Sequence, residues 1–146
     1  MIISGYQGIG KSTLGGVDNC IDLESGNFWV DGKRADDWYK AYCQIAEHLS
    51  SQGYVVFVSS HKPVREELEN SEENVYVICP SLDLKDEWIE KLRNRYEETG
   101  LDKDYRALVN AEERYDENIT ELINGGLECV IIDNMDYSLP EMIMTM

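Results

Sequence analysis

The sequence predicts an α/β fold: a three-layer α/β/α arrangement on a five-stranded, mostly parallel sheet. Three observations predict it. Five short apolar runs alternate with helical patterns along the 146 residues. Two of those runs, Tyr54–Ser59 and Glu128–Asp133, are nearly continuous rather than alternating, the pattern of strands covered on both faces. Alternation of strand and helix joins parallel strands through right-handed crossovers.

Each element has its own reason. Met1–Ser4 is a short apolar strand that runs straight into a glycine-rich segment. After that segment only Ser12 to Gly16 is expected to be helical, because Gly15 and Gly16 break anything longer. Cys20–Leu23 is the second strand. Asp36–Ser51 puts Tyr39, Tyr42, Cys43, Ala46 and Leu49 on one helical face, and Gly53 ends it. The third strand, Tyr54–Ser59, leads to a short helix at Pro63–Leu68 with proline in its first turn. Val75–Cys79 is the fourth strand. Leu84–Glu98 then aligns Trp88, Leu92 and Tyr96 until Gly100. Tyr105–Asn124 carries Leu108, Tyr115, Ile119 and Leu122, closed by Gly125-Gly126, and Glu128–Asp133 is the last strand. There is no repeat, low-complexity tract or linker, so residues 1–146 read as one domain.

The formal charge is −16, from 29 acidic against 13 basic residues. Such a field repels nucleic-acid backbones and anionic lipid, which argues against both as partners. It also makes every cation near a candidate site informative. No apolar stretch approaches the 18 or so residues that a membrane span needs. Cys20, Cys43, Cys79 and Cys129 form no C-x-x-C pair, so free thiols are expected rather than a zinc site. With a strand and glycine loop where an export signal would stand, a cytoplasmic protein is expected.

Gly5-Tyr6-Gln7-Gly8-Ile9-Gly10-Lys11-Ser12 matches the phosphate-binding pattern G-x-x-x-x-G-K-[ST] without a gap, directly after a predicted strand. Glycines let the backbone N–H groups curl around a polyphosphate. Lys11 would reach the β- and γ-phosphates, and the Ser12 hydroxyl would ligate Mg²⁺. A helix opening at Thr13 would aim its N-terminal dipole at the same anion. ATP and Mg²⁺ are the expected cofactors, bound by Gly5 to Thr13.

The chain resembles the small P-loop phosphotransferases of the nucleoside-monophosphate-kinase and gluconate-kinase group. The resemblance rests on four stretches: the loop; the acid-bearing strand Cys20-Ile21-Asp22-Leu23-Glu24; the strand and turn Val55 to Lys62 followed by Arg65; and the helix Asp86–Tyr96 with Lys91, Arg93 and Arg95. It implies sheet order 2-3-1-4-5, a lid-like helical region at about residues 97–124, and arginines there that stabilise the transferring phosphoryl group. The function it implies is ATP-dependent transfer to a small-molecule acceptor, a nucleotide or a hydroxylated metabolite. The alternative is a nucleotide-binding regulatory module that acts on a protein partner without phosphotransfer.

The remaining candidates each carry two readings. Asp22 and Glu24 stand at the carboxyl end of a strand, where ligands collect in such sheets. Asp22 would hold Mg²⁺ or act as general base, and Glu24 would contact the acceptor; otherwise they are loop or capping carboxylates. Ser59-Ser60-His61 lies at the same sheet edge, where His61 would contact substrate or Ser60 or His61 would cap the next helix. Arg65 sits against the helix dipole unless it faces an anion, which suggests an acceptor phosphate or carboxylate. Arg93 and Arg95 suit a developing phosphoryl charge; the alternative is pairing with Glu87, Glu90, Glu97 or Glu98. Arg106 and Arg114 are weaker candidates for the same task. Val130-Ile131-Ile132-Asp133 resembles a Walker B strand, but no Glu follows it, so Asp133 and Asn134 are assigned a structural or base-side role. Tyr6 is expected to pack on a lid or acceptor.

Overall fold

In the computed structural model, residues 1–14, 19–28 and 32–146 are described, without the side chains of Ser12, Thr13 and Asn27. Gly15, Gly16 and Trp29 lie outside them. Five strands, β1 (Ile2–Gly5), β2 (Cys20–Asp22), β3 (Val55–Val58), β4 (Val75–Pro80) and β5 (Glu128–Ile132), form one sheet in the order β2-β3-β1-β4-β5. Every neighbouring pair is parallel, with Ile3 opposite Phe57 on one side and Tyr76 on the other. The helices are α1 (Trp38–Ser51), α2 (Lys62–Leu68), α3 (Lys85–Thr99), α4 (Asp102–Ile123) and α5 (Leu139–Thr145).

Successive side chains of a strand point to opposite faces, and β1 divides its residues accordingly. Ile2, with Val56 and Val58, packs against Tyr42, Cys43 and Ala46 of α1 and Val64 and Leu68 of α2. Ile3, with Phe57 and Val77, packs under Trp88 and Leu92 of α3 and Leu108, Ala111, Tyr115 and Ile119 of α4. The two apolar clusters on either side of one sheet are consistent with the three-layer arrangement. Each fully buried aliphatic or aromatic side chain contributes about 1.5–3 kcal/mol, and β1 is buried along its whole length. The strand that carries the glycine loop is therefore among the best-anchored parts of the molecule.

Two connections place the site. Gly100 takes the left-handed conformation (φ 63°) at the end of α3, and Leu101 completes a two-residue turn into α4. Short links make antiparallel neighbours, so α4 begins beside the carboxyl edge of the sheet, where Gln7 reaches Ala107, and runs back along α3 toward the start of β5. At Arg114 the backbone leaves helical geometry (φ −136°, ψ 19°), which kinks α4 between Asp102–Glu113 and Tyr115–Ile123. Helix α5, which the sequence reading did not assign, starts at Ser138, whose hydroxyl accepts from the Glu141 N–H at 3.4 Å, with Pro140 in its first turn. Among the described residues no helix is long and apolar enough to cross a membrane.

The helix expected after the glycine loop is a single 3₁₀ turn, Lys11–Leu14, in its described part.

Candidate anion-binding cleft

Gly5, Asp22 and Ser59 mark the carboxyl ends of the adjacent strands β1, β2 and β3, and the loop Tyr6–Gly10 leaves β1, the central strand of the five. Gly8 (φ 88°) and Gly10 (φ 102°) have conformations that side chains disfavour. Gly8 is constrained twice, since a Cβ there would sit 2.9 Å from Leu92 Cδ2 and 3.3 Å from Trp88 Nε1. The Tyr6 N–H donates to the Ile78 carbonyl at 2.9 Å, which fixes the loop's exit from β1.

Two loop carbonyls are held from behind. Trp88 Nε1 donates to Gln7 O at 2.9 Å, and the Tyr137 hydroxyl donates to Ile9 O at 2.6 Å. Among the described residues no peptide bond is cis, and in a trans peptide the next N–H points opposite to the carbonyl. The Gly8 and Gly10 N–H groups are thereby aimed away from Trp88 and Tyr137. In front, Gln7 Nε2 donates to Ala107 O at 3.0 Å and to Asn110 Oδ1 at 3.2 Å, which clips the loop to α4.

A cleft of about 650 Å³ opens beside this loop. Gly5, Tyr6, Gln7 and Lys11 line one wall, Ser59 to Lys62 and Arg65 the second, and Lys103, Arg106, Ala107, Asn110, Asn118 and Glu121 of α4 the third. Among the described residues, five cations (Lys11, Lys62, Arg65, Lys103 and Arg106) and one acid, Glu121, line the cleft, in a chain with 13 basic and 29 acidic residues. The local balance is the reverse of the global one.

Several predicted residues meet here. Lys11 lines the cleft with its ammonium 3.5 Å from Asp22 Oδ1. His61 lines it too, its Nδ1 2.8 Å from Ser59 Oγ and its ring edge-on to Trp38 at 5.6 Å. Burial against these neighbours, and then the Arg34 charge, push the His61 pKa below its ordinary value, so the imidazole is neutral at pH 7. His61 is the α2 N-cap residue but its side chain makes no capping bond, so the capping alternative is not the one adopted. Behind it the Tyr42 hydroxyl donates to Leu23 O at 2.6 Å and accepts from the Ser59 N–H at 2.9 Å, tying the ends of β2 and β3 together.

Other predicted residues are placed differently. Arg65 is buried and faces an anion, but that anion is Glu121 at 2.8 Å, while its Nε donates to Ser60 O at 2.9 Å. It braces α2 against α4. Glu24 is exposed and does not line the cleft. Arg93 and Arg95, expected at a phosphoryl group, do not line it either: Arg93 pairs with Glu90 at 2.5 Å and Arg95 with Asp104 at 3.0 Å. Those arginines lie on α3, whose contacts are with α4 rather than with the open side of the loop. Arg114 pairs with Glu117 at 2.9 Å, and Arg106 stands 3.6 Å from Asp102. Tyr6, by contrast, does pack on the region expected to be lid-like, edge-to-face with Tyr115 of α4 at 5.9 Å, and at 3% exposed it is also part of the core. Asn134 accepts from the Asp136 N–H at 2.9 Å, the structural one of the two roles expected of it. The side chains of Ser12 and Thr13, the first a predicted Mg²⁺ ligand, lie outside the described residues.

Sequence reasoning missed Lys103, Asn110, Asn118 and Glu121. Lys103, Arg106/Ala107 and Asn110 follow helical spacing, a stripe that became visible only once α4 was known to begin at Asp102. Among the described residues no group of three or more His, Cys, Asp or Glu side chains could hold a metal. No protein-family model matches the chain, and no curated protein matches it.

Proposed function

We propose that the chain is a P-loop nucleotide-binding protein that transfers the terminal phosphoryl group of Mg²⁺-ATP to a small, negatively charged acceptor. One observation carries the reading: five cations line a single cleft beside the glycine loop of a chain with net charge −16. Carboxylates stand beside four of the five, Asp22 by Lys11, Glu66 by Lys62 at 3.8 Å, Glu121 by Arg65 and Asp102 by Arg106, but among the described residues only Glu121 lines the cleft itself, so the cleft presents more positive than negative side chains to a ligand, which favours an anion. The reading assigns the β- and γ-phosphates to the loop amides and Lys11, as the glycine pattern and the aim of the Gly8 and Gly10 amides support. It assigns the charge that develops on the transferred group to Lys103 and Arg106, in place of Arg93 and Arg95. It assigns the acceptor to Lys62, His61 and Ser59.

Mg²⁺ commonly takes one or two carboxylates, with phosphate and water completing its shell. Asp22, one carboxylate beside Lys11, fits that demand with Ser12 as second ligand. Bound there, the ion would neutralise phosphate charge during transfer. The four free thiols suit the reducing cytoplasm expected for such an enzyme.

A second reading, a nucleotide-binding regulatory module without transfer, draws on a specific observation. Glu121, the one carboxylate that lines the cleft among the described residues, is engaged by Arg65, and Asp22 is engaged by Lys11. A general base for the acceptor hydroxyl then has to come from His61 or from Asp22 after Lys11 turns to phosphate. Incubation with γ-labelled ATP and a panel of phosphorylated, carboxylated and neutral acceptors separates the two readings. Label transfer to an anionic acceptor, lost in Lys11→Ala, supports the enzyme. Tight Mg²⁺-ATP binding with no transfer to any acceptor supports the module.

A further inference from the structure

Behind the glycine loop, on the side away from the cleft, Lys91 makes an unusual choice of partner. Its ammonium donates to the Tyr137 hydroxyl at 2.7 Å and lies over the rings of Trp88 and Tyr137, at 4.4 and 4.9 Å from their centroids. In a chain with 29 acidic residues it makes no ion pair among the described ones, although Glu87 and Glu90 stand on the same helix. The Tyr137 ring stacks on Trp88 at 6.0 Å, which holds its hydroxyl in line with Ile9 O. Ammonium, phenol and loop carbonyl thus form a chain of donors that ends on the Ile9–Gly10 peptide.

We propose that Lys91 and Tyr137 are positioning residues that polarise the Ile9–Gly10 peptide and so strengthen the Gly10 N–H as a donor to a bound phosphate. The proposal rests on the loop being the phosphate cup of the proposed function. A donor on a peptide carbonyl draws electron density from the attached N–H, and linked hydrogen bonds reinforce one another by roughly 10–30% each. An ammonium at the head of the chain makes the first bond charge-assisted. Trp88 performs the same service, without the charge, on the Gln7–Gly8 peptide. Burial, and then Arg95, lower the Lys91 pKa, so the charge is kept here against a cost that a lysine in open solvent would not bear. A packing brace needs the ring and the aliphatic stem but neither the hydroxyl nor the charge.

The test uses Tyr137→Phe and Lys91→Met in the full chain, since each keeps the packing atoms. In the nucleotide-free protein the carbonyl ¹³C of Ile9 and the amide ¹⁵N of Gly10 should both move upfield in Tyr137→Phe. They should move less, in the same direction, in Lys91→Met. Calorimetric titration should show Mg²⁺-ATP binding weakened about three- to tenfold by Tyr137→Phe and about twofold or more by Lys91→Met. A Lys91→Met protein with a lower melting temperature but unmoved Gly10 signals and unchanged affinity would overturn the relay and leave a brace, while the phosphate-cup reading survives. Absence of Mg²⁺-ATP binding by the unsubstituted protein would remove both.

Discussion

Helices α3 and α4 each carry a group of cations, and the two groups meet opposite fates. On α3, Lys91 is taken by Tyr137, Arg93 by Glu90 and Arg95 by Asp104, all within the helical layer. On the first half of α4, Lys103 and Arg106 line the cleft, and the one ion pair between them and the helix is a 3.6 Å contact from Arg106 to an exposed Asp102. Composition alone does not distinguish the groups. What separates them is the two-residue turn at Gly100-Leu101, which starts α4 beside the carboxyl edge of the sheet while α3 stays behind the loop. A cation becomes available to a ligand when topology carries it to that edge, and otherwise it is spent on its own neighbours.

The largest expected effect breaks the comparison if it fails. Arg106→Ala should lower phosphoryl transfer on the order of a hundredfold, as removal of a charge aimed at a transition state does. Arg93→Ala should leave it within about twofold, because an exposed ion pair contributes at most about 1 kcal/mol. Initial rates with γ-labelled ATP measure both, and a reversed order would return the catalytic role to α3.

Gln7→Glu tests how the α4 cations are held over the loop. The substitution is isosteric but removes the donor that reaches Ala107 O and Asn110 Oδ1. A shift of α4 by even 1 Å can cost up to about a hundredfold, and kcat should fall on the order of tenfold while Mg²⁺-ATP affinity changes little. Equal losses in kcat and affinity would show that the clip shapes the loop rather than the helix.

Asp104 examines the α3 side. Its carboxylate is 4% exposed and holds Arg95 at 3.0 Å as well as the Thr99 hydroxyl. Asp104→Ala should destabilise the fold by about 1–2 kcal/mol, the usual cost of orphaning buried partners, read as a lower urea midpoint. Arg95 is half-exposed and can turn to solvent, which keeps the effect at that level. Transfer activity that fell without any loss of stability would mean that this pair serves chemistry.

The smallest effect concerns pH. The Arg65 hydrogen bond holds the Glu121 carboxyl below its ordinary value of 4.5. The unfolded chain takes up the proton first as pH falls, so the stabilisation is complete above about pH 4.5 and is lost as pH drops through the lower folded value. Arg65→Met should flatten that part of the stability profile, and an unchanged acid limb in urea melts would place the brace elsewhere.

The sheet was legible because its strands are short, apolar and bounded by turn residues, and all five were expected within one or two positions. Their order came from the family resemblance alone, since period-two patterns carry no information about which strand pairs with which. The glycine loop and the Lys11, His61 and Arg65 wall were readable from position at strand ends. Lys103, Asn110 and Glu121 were not, because a helix start after Gly100-Leu101 has no Ser, Thr, Asp or Asn cap to mark it; the N-cap residue is Leu101. Arg93 and Arg95 misled for a related reason: spacing shows which residues share a helix face, and not which way that face is turned.

The claim on which the account depends is that the amides of Gly8 and Gly10, with Lys11, form a receptor for a polyphosphate. Calorimetric titration of the protein and of Lys11→Ala with Mg²⁺-ATP at one fixed salt concentration tests it most directly. The account predicts single-site binding by the unsubstituted chain and affinity at least about tenfold weaker in the variant, the loss of one charge-assisted contact. Indistinguishable isotherms for the two proteins, or no heat from either at millimolar nucleotide, would contradict it.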